Sequence, residues 1–473
     1  MILYRLLRLT AGIALRWFYR DVRERHADRV PPGATPLLLV VNHPNALVDA
    51  LLVGWAMPRP VTITAKATLF ENAALARFLR YMGVVPLRRA SDERRPRAAA
   101  ADPADAAGRV RRVDRNTEAF RAILRRLEEG GAVLIFPEGK SHDEPALAPL
   151  RTGPARIALQ AQREGRVRAL AILPIGLIFE RKEAPRSRVL VDVGDPLDVG
   201  GWVSAAARRA DGASEVDALT EEIDRRLRDV TLNYATADEA ARTRGLARVF
   251  ASLLDDPPPV GTGRSLEDEV ELERRLAQAR RLLEGERADP ALRARAERFL
   301  DRLDTFEHAL RAEGIAVDDV AISLRRRHGA RFALREGAVL ALAGPVALWG
   351  RLNHWLPFRL ARALGQRDMT SRDQPAMRTI LAGFVLVLLF YGLATTLVAR
   401  LAGGVAAAAY LVSLPIAADI DLRFAERMRR ARQRMRAYLR FRRDPQLRER
   451  LCAEHAWLTS EIGELARAFE RAG

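Results

Sequence analysis

The sequence is poor in the residues that build covalent and metal frameworks. Its 473 residues hold one cysteine, Cys452, which excludes an intramolecular disulfide framework and any multi-cysteine metal site. A reducing, cytosolic face is the natural compartment for the soluble part. His26, His308, His328, His354 and His455 are scattered without ligand spacing, so no metal is expected. Lysine is nearly absent, occurring only at Lys66, Lys140 and Lys182. The net charge of +18 therefore rests on arginine and points to anionic partners. That charge is spread along the chain, with no RNA-binding signature, which sets nucleic acid aside in favour of phospholipid headgroups and phosphorylated substrates.

A cleavable signal peptide is not expected. Residues 1–35 begin instead with an amphipathic pattern, in which Arg5, Arg8, Arg16 and Arg20 gather on one side of a helical wheel. Most of Leu3, Leu6, Leu7, Ile13, Trp17 and Phe18 lie on the other side. Such a helix suits the membrane interface, and it suits equally well a helix packed on its own domain.

Residues 36–213 alternate short apolar runs with helical stretches, the mark of an α/β fold with a mixed sheet flanked by helices. Strands are expected at Leu37 to Val41, Val61 to Ala65, Val133 to Phe136, Ala169 to Ile175 and Val189 to Val193. Phe120, Ile123, Leu124 and Leu127 recur at helical spacing behind Asn116 and Thr117 as caps. Residues 91–113, rich in Ala, Arg, Asp and Pro, read as a mobile insertion. Residues 214–330 read as an accessory helical region whose charge runs are solvated faces.

Membrane segments are expected within 331–420. Thr379 to Ala399 is an uncharged run bounded by Arg378 and Arg400 and long enough to span a bilayer. Leu401 to Ala418 follows as a shorter second leg, with Gly403 and Gly404 available for the turn. A third segment, 337–358, contains Gly344-Pro345 and Arg351 and reads as interfacial, re-entrant or part of a longer span. Trp349 and Trp355 fit an interfacial aromatic belt. Arginine-rich flanks on both sides put both ends, including a basic helical tail at 421–473, in the cytoplasm.

The strand Leu37 to Val41 runs directly into Asn42-His43-Pro44. Proline disfavours helical geometry at the residue before it, so His43 should sit in an extended turn at the strand's end. Leu47 to Met57 reads as a helix with Asp49 in its first turns. On one continuous helix their separation would point the two side chains apart, but the intervening turn lets them face each other. A carboxylate that fixes the imidazole tautomer makes histidine a competent base toward a hydroxyl. Alone, a His-Pro followed by an Asp is more simply structural.

Three further segments accompany the pair. Gly83 to Arg89 ends in Arg88 and Arg89, two guanidinium groups suited to a phosphate monoester, or else simple surface arginines. Leu134 to His142 ends a strand in the polar turn Phe136-Pro137-Glu138-Gly139-Lys140-Ser141-His142. Leu173-Pro174-Ile175-Gly176 closes a fourth apolar run. Gly139-Lys140-Ser141 mimics the end of a phosphate-binding loop, but the first glycine of that motif would stand where Leu134 is, so nucleotide hydrolysis is not supported. Lys140, His142 and Arg151 are either contacts for an anionic substrate or plain exposed charges.

Taken in order, these blocks resemble the phospholipid/glycerol acyltransferase family, over about residues 36 to 200. That family carries Asn-His-X4-Asp, a Gly…Arg block, Phe-Pro-Glu-Gly and a proline-containing apolar block. Here five residues separate His43 from Asp49. The longer spacing, Glu138 to His142 and Leu150-Arg151-Thr152-Gly153 resemble the branch that includes fungal-type glycerol-3-phosphate and dihydroxyacetone-phosphate acyltransferases. The resemblance implies transfer from acyl-CoA or acyl-ACP to the hydroxyl of glycerol-3-phosphate or 1-acylglycerol-3-phosphate, without cofactor or covalent intermediate. It implies His43 as base, Asp49 as its orienting partner and Arg88 and Arg89 on the acceptor phosphate. Glu138 and Gly139 would shape the acceptor site, with Lys140 and Arg151 beside it, and Pro174 would wall the channel. Dihydroxyacetone phosphate or another lysolipid is the alternative acceptor, and a silent lipid-binding membrane scaffold the alternative role. The expected location is a bacterial inner membrane, catalytic domain on the cytoplasmic face, with membrane lipids as partners.

Overall fold

The structure, a computed structural model, describes residues 2–87, 118–165, 167, 169–206, 214–254, 265–285, 289–366 and 375–472. Arg88, Arg89 and the expected insertion at 91–113 lie outside the described residues. The chain divides into two compact units, Met1–Thr236 with Gly365–Ile380, and Ala237–Leu364 with Leu381–Gly473.

The first unit is built on an eight-stranded sheet. Its strands are β1 (Asp21–Arg25), β2 (Leu37–Val41), β3 (Val61–Lys66), β4 (Val85–Leu87), β5 (Ala132–Ile135), β6 (Ala171–Phe179), β7 (Arg188–Val193) and β8 (Leu197–Asp198). Across the sheet they run β1-β7-β6-β2-β5-β3-β4, with β8 also beside β6. β6 is antiparallel to β7 and β8, and the other pairs are parallel, so the sheet is mixed.

Every residue of β2 is buried, because both faces of the sheet are covered. Leu37, Leu39 and Val41 point into one core, with Leu15, Tyr19, Val48 and Leu52 of the flanking helices. Leu38 and Val40 point into the other, with Ile123, Leu124, Leu127, Ile157 and Ile223. The period of two thus divides one apolar run between two cores. The first layer holds α1 (Ile2–Phe18) and α2 (Leu47–Ala56). The second holds a helix at residues 118–128 (α4), α5 (Gly153–Arg163) and α7 (Glu215–Val230). Between β3 and β4 lies α3 (Ala73–Tyr81), and α6 (Val199–Ala206) follows β8.

Both readings of the N-terminal helix have a physical counterpart. α1 packs on α2 so closely that a Cβ at Gly12 would come within 2.8 Å of the Trp55 ring. Its opposite side leaves Leu6, Leu9 and Ile13 exposed. The boundary expected at 213 is moved by α7. This charged helix buries Leu219, Ile223, Leu227 and Val230, and its end meets β6 where only glycine fits. A Cβ on Gly176 would stand 1.9 Å from the Val230 carbonyl oxygen. The first compact unit accordingly continues to Thr236.

In the second unit, α8 (Ala237–Leu254), α10 (Pro290–Glu313) and α13 (Pro445–Ala472) share a core. Phe299, Leu303 and Phe306 of α10 meet Leu451, Leu458 and Ile462 there. Ion pairs from Arg302 to Glu454 and from Arg295 to Glu461 join α10 to α13 along its edge. α9 (Leu266–Glu284) packs beside α8. α11 (Arg326–Gln366) and α12 (Pro375–Arg443) contain stretches long and apolar enough to cross a membrane. Gly403, at φ 84 and ψ 173, breaks α12 between the two expected apolar legs. The end of α12 buries Ala437 and Phe441 in the same core as α10 and α13.

Candidate active site

β2 and β5 are parallel neighbours with Val40 opposite Ile135, so the turns that follow them emerge at the same edge. From β5 the chain passes β2 and adds β6 on its far side, which reverses the strand order at β2. A crevice at such a switch point, beyond the carboxyl ends of the strands, is the usual ligand site of an α/β sheet.

The turn after β2 is pinned from several directions. Asn42 extends the sheet ladder with its side chain, donating to the Leu177 carbonyl at 3.1 Å and accepting from its N–H at 2.7 Å. Ala46 stands at φ 50, ψ −128 immediately before α2, a backbone conformation costly for a residue with a Cβ. Its N–H donates to Ser141 Oγ at 3.1 Å. The strained residue lies in the five-residue stretch between His43 and Asp49, where it brings the chain round into α2.

His43 and Asp49 meet. His43 Nδ1 donates to Asp49 Oδ2 at 2.9 Å, and the same oxygen accepts from the Asn45 N–H at 2.7 Å. Asp49 is fully buried, and its Oδ1 has no hydrogen-bond partner among the described residues. Burial pushes the Asp49 carboxyl above its usual range, opposed by the bonds from His43 and Asn45 and by the charge of Lys182. The imidazole lies flat on Phe136, centroids 3.8 Å apart and planes 12° from parallel. Tautomer and ring plane are thus both set, and an imidazole held in this way presents its Nε2 lone pair as a base.

Glu138 closes the site from the β5 side. Its Oε1 accepts the His43 backbone N–H at 2.7 Å, and its Oε2 accepts from the Ala148 N–H at 2.9 Å and pairs with His142 Nε2. This buried carboxylate is fully engaged inside the protein, and it ties the two turns together. Gly139 adopts φ +74, a left-handed conformation suited to glycine, and faces the stem of Arg151. Lys140 and Arg151 are exposed. Arg151 is held through its backbone N–H, which donates to the Pro137 carbonyl at 2.8 Å.

Pro174 is buried inside β6, opposite Val40. Its carbonyl accepts from the Gly194 N–H at 2.9 Å, in the gap between β7 and β8 where a missing N–H leaves no ladder bond broken.

A third set of contacts comes from residues that the motifs do not mark. Lys182 Nζ donates to the Pro44 carbonyl at 2.6 Å and the His142 carbonyl at 3.3 Å, and it pairs with Asp143. One cation therefore bridges the turns that carry His43 and Glu138. Asn45 Nδ2 donates to Tyr19 Oη at 2.9 Å and to the Lys182 carbonyl at 3.1 Å. The Tyr19 hydroxyl also reaches the Lys182 carbonyl, at 3.1 Å. Burial, with the nearby Asp49 charge, pushes Tyr19 well above the usual phenol range, so it remains a neutral hydrogen-bonding group. Phe136 and Asn45 lie inside the recognised blocks, whereas Tyr19 and Lys182 have no local signal.

His43, Asp49 and Glu138 fall in a segment, residues 21–178, that matches the family model described as Acyltransferase. Glycerol-3-phosphate O-acyltransferase 2 of Saccharomyces cerevisiae is 31% identical over 161 residues, covering 34% of this chain and 21% of the yeast protein. Glycerol-3-phosphate O-acyltransferase 1 of the same yeast is 25% identical over 142 residues, covering 30% and 19%. An uncharacterized acyltransferase of Schizosaccharomyces pombe is 24% identical over 255 residues, covering 40% and 38%. The chain thus matches well under half the length of these relatives. The crystal structure of the 1-acyl-sn-glycerophosphate (LPA) acyltransferase PlsC from Thermotoga maritima aligns at a TM-score of 0.33 and 17% identity, covering 48% of this chain and 78% of that one. The unit that carries His43 and Asp49 is an acyltransferase domain. Over these residues the chain is similar to the phospholipid/glycerol acyltransferase family.

Proposed function

We propose that the protein is a membrane-bound O-acyltransferase that moves a fatty acyl group from a thioester, acyl-CoA or acyl-ACP, to the hydroxyl of glycerol-3-phosphate or 1-acylglycerol-3-phosphate. The observation that carries this reading is the hydrogen bond from His43 Nδ1 to Asp49 Oδ2, at 2.9 Å, beside the Phe136 to Gly139 turn. It leaves Nε2 to take the acceptor's hydroxyl proton as that oxygen attacks the thioester carbonyl. Collapse of the tetrahedral adduct expels the thiolate, which takes the proton back from the imidazolium. Asp49 stabilises the imidazolium between those two events.

A thioester is already activated, so the reaction needs no cofactor. Glu138, Phe136 and Lys182 position the base. Arg88, Arg89, Lys140 and Arg151 supply cations for the acceptor phosphate, and the Gly139 turn helps to shape the acceptor site. The apolar stretches of α11 and α12 hold the chain in the membrane, and the arginine-rich flanks keep the catalytic domain at the cytoplasmic face.

The test is acyl transfer by membranes containing the full chain, with glycerol-3-phosphate, 1-acylglycerol-3-phosphate and dihydroxyacetone phosphate supplied separately. Formation of 1-acylglycerol-3-phosphate or phosphatidate is expected. Transfer only to dihydroxyacetone phosphate would reassign the acceptor, and no transfer to any phosphorylated acceptor would remove the function.

A further inference from the structure

The second unit contains a cavity of about 500 Å³ between the start of α11, the turn before it and the last third of α12. His328, Arg331, Arg335 and Arg434 line it together with Phe332 and Tyr438, and no acidic side chain is among its lining residues. Neighbouring carboxylates are already shared. Glu336 takes Arg427 as well as Arg335, and Asp319 bonds Arg430 at 3.1 Å while Arg434 stands 3.9 Å away. Arg331 makes no hydrogen bond or ion pair among the described residues and is exposed. The cavity is therefore positively charged, with aromatic and aliphatic walls.

Helical geometry continues the site. Arg331 and Arg335 share one face of α11 with Leu342, Val346 and Trp349, at spacings of four, seven, four and three residues. Those three apolar side chains are 79%, 38% and 42% exposed. From Arg335 to Trp349 the stripe is roughly 21 Å long at ~1.5 Å per residue. That exceeds the ~15 Å of hydrocarbon in one leaflet. Cationic cavity and apolar stripe thus form one continuous surface, matched to a molecule with a phosphate at one end and a long chain at the other.

We propose that this surface is a binding site for an anionic phospholipid of the surrounding membrane. The phosphate enters the cavity among Arg331, Arg335 and Arg434, and an acyl chain lies along Leu342, Val346 and Trp349. Guanidinium groups suit this role because their planar donors pair two at a time with phosphate oxygens. The site is separate from the His43 centre, and it rests on the reading of α11 as a membrane-embedded helix.

The experiment uses the full chain in mild detergent. Its thermal midpoint is followed on adding phosphatidylglycerol, phosphatidylcholine or inorganic phosphate. Phosphatidylglycerol is a phosphodiester, unlike the phosphate monoester acceptors proposed for the His43 centre. It is expected to raise the midpoint, while phosphatidylcholine and phosphate are not. The double variant Arg331→Ala, Arg335→Ala should need at least tenfold more lipid for the same rise. Among the described residues Arg331 has no partner to lose and Glu336 keeps Arg427, so this variant should fold. Equal responses to the two lipids, or an undiminished response in the double variant, would overturn the site. A rise with inorganic phosphate alone would overturn the lipid as its occupant. Flotation with phosphatidylcholine vesicles tests the membrane reading apart from both. Wild type and double variant should float alike, and failure of both to float would overturn the premise.

Discussion

Replacing Asp49 with asparagine separates the chemistry of the site from its stability. Asp49 is buried, accepts from His43 Nδ1 and the Asn45 N–H through one oxygen, and leaves the other without a partner among the described residues. An asparagine of the same shape puts either its oxygen or its amide nitrogen where Oδ2 stands. With the nitrogen there, the amide donates to His43 Nδ1 and gives up the Asn45 bond, which moves the imidazole proton to Nε2 and removes the base. With the oxygen there, both bonds stay but the charge that stabilises the imidazolium is gone. A tautomer reversed in this way costs roughly 10³ to 10⁴ in kcat. That is about 4 to 5.5 kcal/mol of transition-state stabilisation.

Stability should move the other way. Burial raises the Asp49 carboxyl above its ordinary value of 3.8, so the folded state holds the proton more tightly than the unfolded chain does. Below pH 3.8 the carboxyl is protonated in both states and contributes nothing. As pH rises from there through the higher folded-state value, the wild type loses stability that the asparagine variant keeps. At neutral pH the Asp49→Asn protein should therefore melt no lower than wild type while being almost inactive. Thermal melts followed upward from pH 3.8 and initial rates of acyl transfer provide the two readings. A variant that keeps a tenth of wild-type kcat, or one that loses activity only because it melts far lower, would refute the reasoning.

Lys182→Met should lower kcat by roughly 10- to 100-fold with little change in acceptor KM, because Lys182 acts through the Pro44 and His142 carbonyls. Losing a positive charge near Asp49 makes that carboxyl easier to protonate, so the acid limb of the rate profile should move to higher pH. Lys182→Arg should restore much of the rate, and an unshifted limb would make the residue merely structural. Gly176→Ala should destabilise by about 3 kcal/mol or more, since its Cβ would stand 1.9 Å from the Val230 oxygen; an unchanged melting point would show that α7 is not packed there. Arg89→Ala and Arg151→Ala should each raise the acceptor KM several-fold at similar kcat, and an unchanged KM would release that residue from phosphate binding.

Much of the first unit is legible in its apolar runs. Strands β2, β3, β5, β6 and β7 are rich in Val, Leu and Ile and lie close to the expected positions. β1 is different. Asp21 to Arg25 has the sequence Asp-Val-Arg-Glu-Arg, and it forms a strand by pairing with β7 at the sheet edge, where charged side chains reach water. α7 reads as a solvated helix because its four buried residues are separated by nine charged ones over sixteen positions. Only the partner surface around Gly176 reveals that its apolar stripe is a core face.

At the site, the local contacts were readable and the distant ones were not. His43 and Asp49 belong to one turn and the start of the following helix, so proline geometry and spacing suffice to bring them together. The stacking of His43 on Phe136 requires the register of β2 against β5, which motif order does not state. Tyr19 and Lys182 converge on Asn45 from 26 and 137 residues away, through backbone carbonyls and a hydroxyl. Such contacts leave no pattern in the chain, because a carbonyl is present at every residue.

The central claim is that His43 is the base for acyl transfer to a phosphorylated acceptor. The most direct measurement is the transfer rate of purified, full-length His43→Ala beside wild type, at saturating thioester and acceptor, with folding checked by circular dichroism. A folded variant whose rate falls to the uncatalysed background is the predicted result. Transfer at an undiminished rate by that folded variant would contradict the account.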